Sequence, residues 1–152
     1  MTVGLFITFE GGEGSGKSTQ VKRLRGRLQR RSIPVTAVRE PGGTPLGDHL
    51  RQMLKFSTIP LTPEAELLLF NASRAQLVSQ VVRPALARGD VVLCDRFTDS
   101  TLAYQGYGRG IPLEKVEAVN KAAVSDVRPD LTILLDLPPE EGNSLIKLAN
   151  KS

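Results

Sequence analysis

Tryptophan is absent, and five phenylalanines and two tyrosines make up the whole aromatic complement of 152 residues. So thin a supply leaves little for the stacking platforms that bind single-stranded nucleic acid, and no nucleic-acid partner is expected. A single cysteine, Cys94, excludes an intrachain disulfide framework and fits a reducing, cytoplasmic setting. With one histidine, His49, a zinc site of the Cys/His kind is excluded as well, and His49 reads as a helix-surface residue. No apolar run approaches the roughly 18–20 residues of a membrane span, and the start of the chain lacks the charged head and long apolar stretch of a signal peptide. Acidic residues are missing altogether from residues 17–31, where Lys17, Lys22, Arg23, Arg25, Arg27, Arg30 and Arg31 gather. The formal net charge of +4 has its source in this one segment, which reads as the solvated face of a helix.

What is present is an ordinary globular balance, 40% apolar and 24% charged, in a length suited to one domain. Short apolar runs at 5–9, 34–38, 91–94 and 131–135 alternate with helical periodicities at 17–31, 44–55, 62–88 and 112–126. Leu46, Leu50 and Leu54 share one face of the second of these helices. The third opens on Thr62-Pro63, a hydroxyl cap followed by a residue whose φ is already helical, and Pro84 permits a bend near its end. This alternation predicts an α/β fold whose parallel sheet is covered by helices on both faces.

The strongest local pattern is Gly11-Gly12-Glu13-Gly14-Ser15-Gly16-Lys17-Ser18, which fits G-x-x-x-x-G-K-[ST] between an apolar strand and a helix. Glycines let the backbone curl so that its N–H groups face phosphate oxygens, and the helix N-terminus adds partial positive charge. Lys17 then reaches the β- and γ-phosphates, the Ser18 hydroxyl ligates Mg²⁺, and Thr19 completes the ATP-binding set. The pattern points to a nucleoside triphosphate and leaves the fate of its γ-phosphate open.

Asp95 ends an apolar strand, where such folds place a second contact to Mg²⁺, and Arg96 follows with a planar guanidinium suited to phosphate. Arg39 ends the second strand in the same way, ahead of Glu40-Pro41-Gly42-Gly43. Two arginines and a lysine around one crevice exceed what one triphosphate needs, which suggests a second, phosphorylated substrate.

These residues carry a resemblance. FTDSTLAYQ at 97–105, FNASRAQ at 70–76, AYQGYGRG at 103–110, the Arg39 segment and RPDLTILLDLPPEEG at 128–142 closely resemble bacterial-type thymidylate kinases, in the same order. The resemblance covers residues 3–142 and implies a P-loop nucleoside monophosphate kinase fold, with ATP as donor, Mg²⁺ as cofactor and dTMP as acceptor. It further implies that Phe70 stacks on thymine and Arg74 donates to a base carbonyl. Ser100, Thr101 and Gln105 would line the base pocket and Tyr104 would lie against the sugar. Glu10 would approach the 3′-hydroxyl and the metal, and Arg39 and Arg96 would hold the acceptor phosphate. A homodimer built partly on the 62–88 helix is implied as well. At Gly142 the likeness stops: residues 1–142 read as the kinase domain and 143–152 as a divergent tail with no arginine, so the family's arginine-bearing lid and final strand are expected to be missing and transfer to be impaired. The alternative is a non-catalytic, nucleotide-binding remnant of such a kinase. A switch GTPase would need Asn-Lys-x-Asp, and Asn120-Lys121 is followed by two alanines.

Overall fold

A computed structural model describes residues 4–150. Strands β1 (Leu5–Gly11), β2 (Val35–Arg39), β3 (Val91–Asp95) and β4 (Leu131–Leu135) form one parallel sheet in the order β2-β3-β1-β4. Alternate residues of the two central strands reach opposite layers, as the pleat requires. Phe6, Val92 and Cys94 enter a core with Leu77, Val78, Val82, Ala85 and Val124, while Ile7, Phe9 and Leu93 meet Val21, Leu24 and Leu28 on the other side. The second layer is α1 (Lys17–Arg30), whose Lys22, Arg23, Arg25, Arg27 and Arg30 face solvent.

At the edge, β4 is fastened to β1 by Asp130, which accepts the Phe6 N–H at 2.7 Å, and by paired Thr8 and Thr132 hydroxyls at 3.0 Å. Its outward residues Leu131 and Leu134 are 51% and 66% exposed.

The expected 62–88 helix is divided. Helix α3 (Pro63–Leu77) starts at Thr62, whose hydroxyl accepts the Ala65 N–H at 3.2 Å. A widened π-helical turn (Val78–Val82) then leads into α4 (Arg83–Ala87). The break comes before Pro84 rather than at it. Pro84 has no N–H to offer the carbonyl four residues back, and the turn preceding it takes up the mismatch, with the Arg83 N–H reaching Val78 O. Helix α2 (Pro45–Phe56) is capped by the Thr44 hydroxyl on the Gly47 N–H, and the expected leucine face is split, because Leu46 points outward while Leu50 and Leu54 are partly covered. Periodicity assigns no helix to residues 98–108, which wind as α5 (Thr98–Thr101) and a second π-helical stretch (Leu102–Gly108). They pack on α6 (Leu113–Val124).

Helix α7 (Pro139–Ala149) runs through the expected boundary at residue 142 without a break, and the last two residues of the tail lie outside the described residues. Its Gly142 is buried against the 11–16 loop. A Cβ there would stand 2.2 Å from Glu13 O, and one on Gly14 would stand 2.2 Å from Gly142 O. Helix and loop therefore touch backbone to backbone. Gly142→Ala should push α7 off the loop. Limited proteolysis within residues 143–150 should accelerate, while the urea midpoint of the whole domain stays close to that of the parent.

Candidate functional site

All four strands end on the same side of the sheet. The last residues of β2 and β3, Arg39 and Asp95, lie opposite each other, and those of β1 and β4, Gly11 and Leu135, likewise, with β1 running two residues beyond Phe9, the partner of Asp95. A cleft of about 940 Å³ opens there, at the upper end of small-molecule sites. Gly14 (φ 71°) and Gly16 (φ 91°) curl the loop after β1, a conformation that side chains with a Cβ resist. Lys17 opens α1, buried, with its Nζ donating to Gly11 O (2.9 Å), Gly12 O (2.6 Å) and the Ser15 hydroxyl (3.4 Å). Burial, and then the nearby Arg96, lower its pKa. The Ser18 hydroxyl donates to Asp95 Oδ2, so the hydroxyl and carboxylate expected at one cation do meet. Thr19 lines the cleft beside them.

Arg96 takes a left-handed backbone (φ 71°), a strained state for a residue of this kind. Its guanidinium donates to Gly11 O (3.2 Å), Ser100 Oγ (3.2 Å) and Glu13 Oε1 (3.0 Å) and lies 5.2 Å over the Tyr104 ring. Arg39 reaches the same cleft, and so does Arg51, which the sequence reading overlooked. Arg51 donates to Pro41 O at 2.9 Å, and its pKa is lowered by burial and by Arg39. It sits one turn before Lys55 on α2, so a helical wheel of the cationic positions would have found it.

Phe70, Ser100, Thr101, Tyr104 and Gln105 line the same cavity away from the loop. Two of the expected site residues are also engaged with protein partners. Arg74 is buried to 1% exposure, and its five N–H groups all have partners. Nε donates to Glu40, Nη1 to Asn71 Oδ1 and Asn120 Oδ1, and Nη2 to Phe97 O and Thr101 Oγ1. Arg74 thus lines the cleft from within a network of protein partners that holds the wall of the pocket in place. Glu10 does not line the cleft. Its oxygens accept the Phe97 N–H (2.7 Å) and the Ser100 hydroxyl (2.6 Å), and burial raises its pKa despite them. Through these bonds it shapes the turn after β3.

Glu66, also unforeseen, lies one turn before Phe70 on the face of α3 that carries Phe70 and Arg74. Extending that four-residue spacing by one step would have found it.

A model of the family described as thymidylate kinase matches residues 9–151. The chain is 55% identical over 147 residues to a thymidylate kinase of Synechococcus sp. (strain JA-3-3Ab), covering 97% of this chain and 72% of that protein. It is 55% identical over 140 residues to the Pseudomonas fluorescens (strain Pf0-1) thymidylate kinase, with 91% and 67% covered. A crystal structure of thymidylate kinase from Ehrlichia chaffeensis superposes with a TM-score of 0.85 at 38% identity, covering 98% of this chain and 88% of that one.

The Arg109 hydrogen bond, the largest influence on Glu66, holds its carboxyl below the usual carboxylate range. A depressed pKa adds stability above the unfolded value of about 4.3, and that stability is lost as pH falls through the lower folded value. Urea unfolding should therefore find Glu66→Gln less stable than the parent at pH 7, with the two converging below about pH 4. A constant gap from pH 7 to pH 3 would contradict the ion pair.

Proposed function

The chain belongs to the thymidylate kinase family, and we propose that its ATP-dependent phosphorylation of dTMP to dTDP runs in the cleft between the 11–18 loop and Arg96. The observation that carries this reading is convergence: a phosphate-binding loop, a hydroxyl–carboxylate pair, two arginines and an aromatic pocket open on one cavity. ATP occupies the loop, with the backbone of residues 11–16, Lys17 and Thr19 on its phosphates. dTMP places its phosphate between Arg39 and Arg96 and its base among Phe70, Thr101 and Gln105, with Ser100 beside Arg96 and Tyr104 toward the sugar. Nothing in the likenesses favours the non-catalytic alternative.

Ser18 and Asp95 supply hard oxygen donors side by side, the set that Mg²⁺ takes in partnership with nucleotide phosphates. When bound, the ion neutralises charge on the triphosphate. The dTMP phosphate is anionic at neutral pH, so no general base is required. One of its oxygens forms the new bond to Pγ as the bond from Pγ to the β–γ bridging oxygen breaks, and ADP leaves with that electron pair. Charge spreads over the transferring group, and this chain's part is positioning and neutralisation. Lys17 serves the donor side, Arg39 the acceptor side, and Arg96 stands between them, touching both the loop and Ser100. The family match runs past residue 142 to residue 151, and helix α7 carries Leu145 and Ile146 along the cleft.

No helix among the described residues is long and apolar enough to cross a membrane. A cytoplasmic location suits the buried thiol of Cys94. A homodimer seated partly on α3 is supported by the exposure of Leu68 and of Phe56 and Ile59 just before it.

A coupled assay should detect ADP release that requires both ATP and dTMP. Lys17→Ala should lower kcat/KM by at least about 10²–10³-fold, the scale for removing one preorganised charge, with dTMP affinity by calorimetry changed only a few-fold. No dTMP-dependent ADP release from the parent would contradict the reading, and equal loss of both affinities would contradict the division of the cleft.

A further inference from the structure

The chemistry above makes no use of Glu66, although its carboxylate lines the cleft. Its Oε1 accepts from Gln105 Nε2 at 2.7 Å and from Arg109 Nε at 3.3 Å, and its Oε2 accepts from Arg109 Nη2 at 2.7 Å. One carboxylate at the start of α3 thus grips both an amide and a guanidinium from the segment after α5.

A carboxylate can only accept hydrogen bonds, whereas the two ends of a glutamine amide differ. With Nε2 turned to Glu66, the end left over is the carbonyl. Gln105 is 3% exposed, yet among the described residues no group donates to its Oε1 and no buried side-chain polar atom lacks a partner. Oε1 is therefore open, and the open space that Gln105 borders is the cleft.

We propose that Glu66, gripped by Arg109, is a positioning residue that locks the Gln105 amide with its carbonyl toward the acceptor pocket, so that the pocket selects a base with a ring N–H over one with a bare ring nitrogen. The inference rests on the reading of the cleft as the dTMP site. Thymine and uracil carry N3–H between two carbonyls, and an amide carbonyl pairs with that donor. Cytosine presents a lone pair at N3, which the same carbonyl repels. A free glutamine would escape the conflict by turning over and donating instead. Here turning over would set Oε1 against the Glu66 carboxylate, so the flip costs a second conflict to relieve the first. The Arg109 hydrogen bond also holds the Glu66 carboxyl below the usual range, which keeps it an obligate acceptor at neutral pH. Sites that hydrogen-bond a substrate group discriminate well because the wrong substrate leaves a buried polar group mispaired.

The test compares dissociation constants for dTMP, dUMP and dCMP, by calorimetry, in the parent, Glu66→Gln and the charge-conserving Glu66→Asp. The parent should prefer dTMP and dUMP to dCMP. In Glu66→Gln, whose amide can donate or accept, the ratio of dCMP to dTMP affinity should rise about tenfold, the scale of one mispaired buried hydrogen bond. The dUMP to dTMP ratio should hold, and Glu66→Asp should keep the parent's order. A merely structural role would weaken all three ligands together, and an unchanged dCMP to dTMP ratio in Glu66→Gln overturns the lock alone. A parent that shows no preference for the N–H bases overturns the lock and the reading of the pocket together. Should Glu66→Gln fail to fold, NMR of the parent decides. Added dTMP should shift the Gln105 carbonyl carbon while its amide protons stay slow to exchange. Shifted, fast-exchanging amide protons would overturn the proposal.

Discussion

Arg74 is the group on which the cleft depends. Its guanidinium is withdrawn almost wholly from water, and a buried charge costs several kcal/mol unless it is paired and hydrogen-bonded throughout. The fold meets that demand with partners from separate parts of the chain: Glu40 after β2, Asn120 on α6, and Phe97 and Thr101 around the start of α5. The Phe97 ring lies 5.4 Å from the guanidinium and stands edge-on to Phe6 at 5.0 Å, which ties the polar cluster to the apolar core. Glu40 is raised in pKa by its burial and pulled back by Arg74, so neither charge is tolerable without the other.

From this cluster the phosphate end of the cleft takes its shape. Phe97 is held at its carbonyl by Arg74 and at its N–H by Glu10. On the other side, Asp95 is held in register between β1 and β2. Arg96 is caught between these two fixed residues, which explains how a left-handed backbone persists there, with its N–H bonded to Phe9 O. The strain aims the guanidinium back across the loop to Gly11 O and out to Ser100. A buried pair inside the protein thus sets the direction of a largely covered cation in the cleft.

Much of this was legible in the chain. The four strands, the loop glycines, Lys17 and the meeting of Ser18 with Asp95 follow from local patterns, because strand ends and helix starts fix their positions regardless of what packs elsewhere. The bland readings of His49 and of the basic face of α1 also hold, since both stand in solvent. What the sequence hides is the fate of polar side chains whose partners are distant in the chain. Arg74 at four residues from Phe70 looks like a ligand-facing arginine, and nothing nearby announces that Glu40 and Asn120 take its donors. Glu10 has bonds that local sequence could not announce either, its partners lying 87 and 90 residues away. The π-helical turns at Val78 and Leu102 escape periodicity because a widened turn shifts the phase of the pattern it interrupts.

The most direct test of the dependence on Arg74 is a double-mutant cycle on folding stability at pH 7, using Arg74→Met, Glu40→Leu and both together. Each single change leaves its partner buried and uncompensated and should cost about 3–5 kcal/mol. The double variant should then lose less than the sum of the two by at least about 1 kcal/mol, the size of coupling expected between groups in contact. Losses that add to within about 0.5 kcal/mol, as they do for independent sites, would contradict the account.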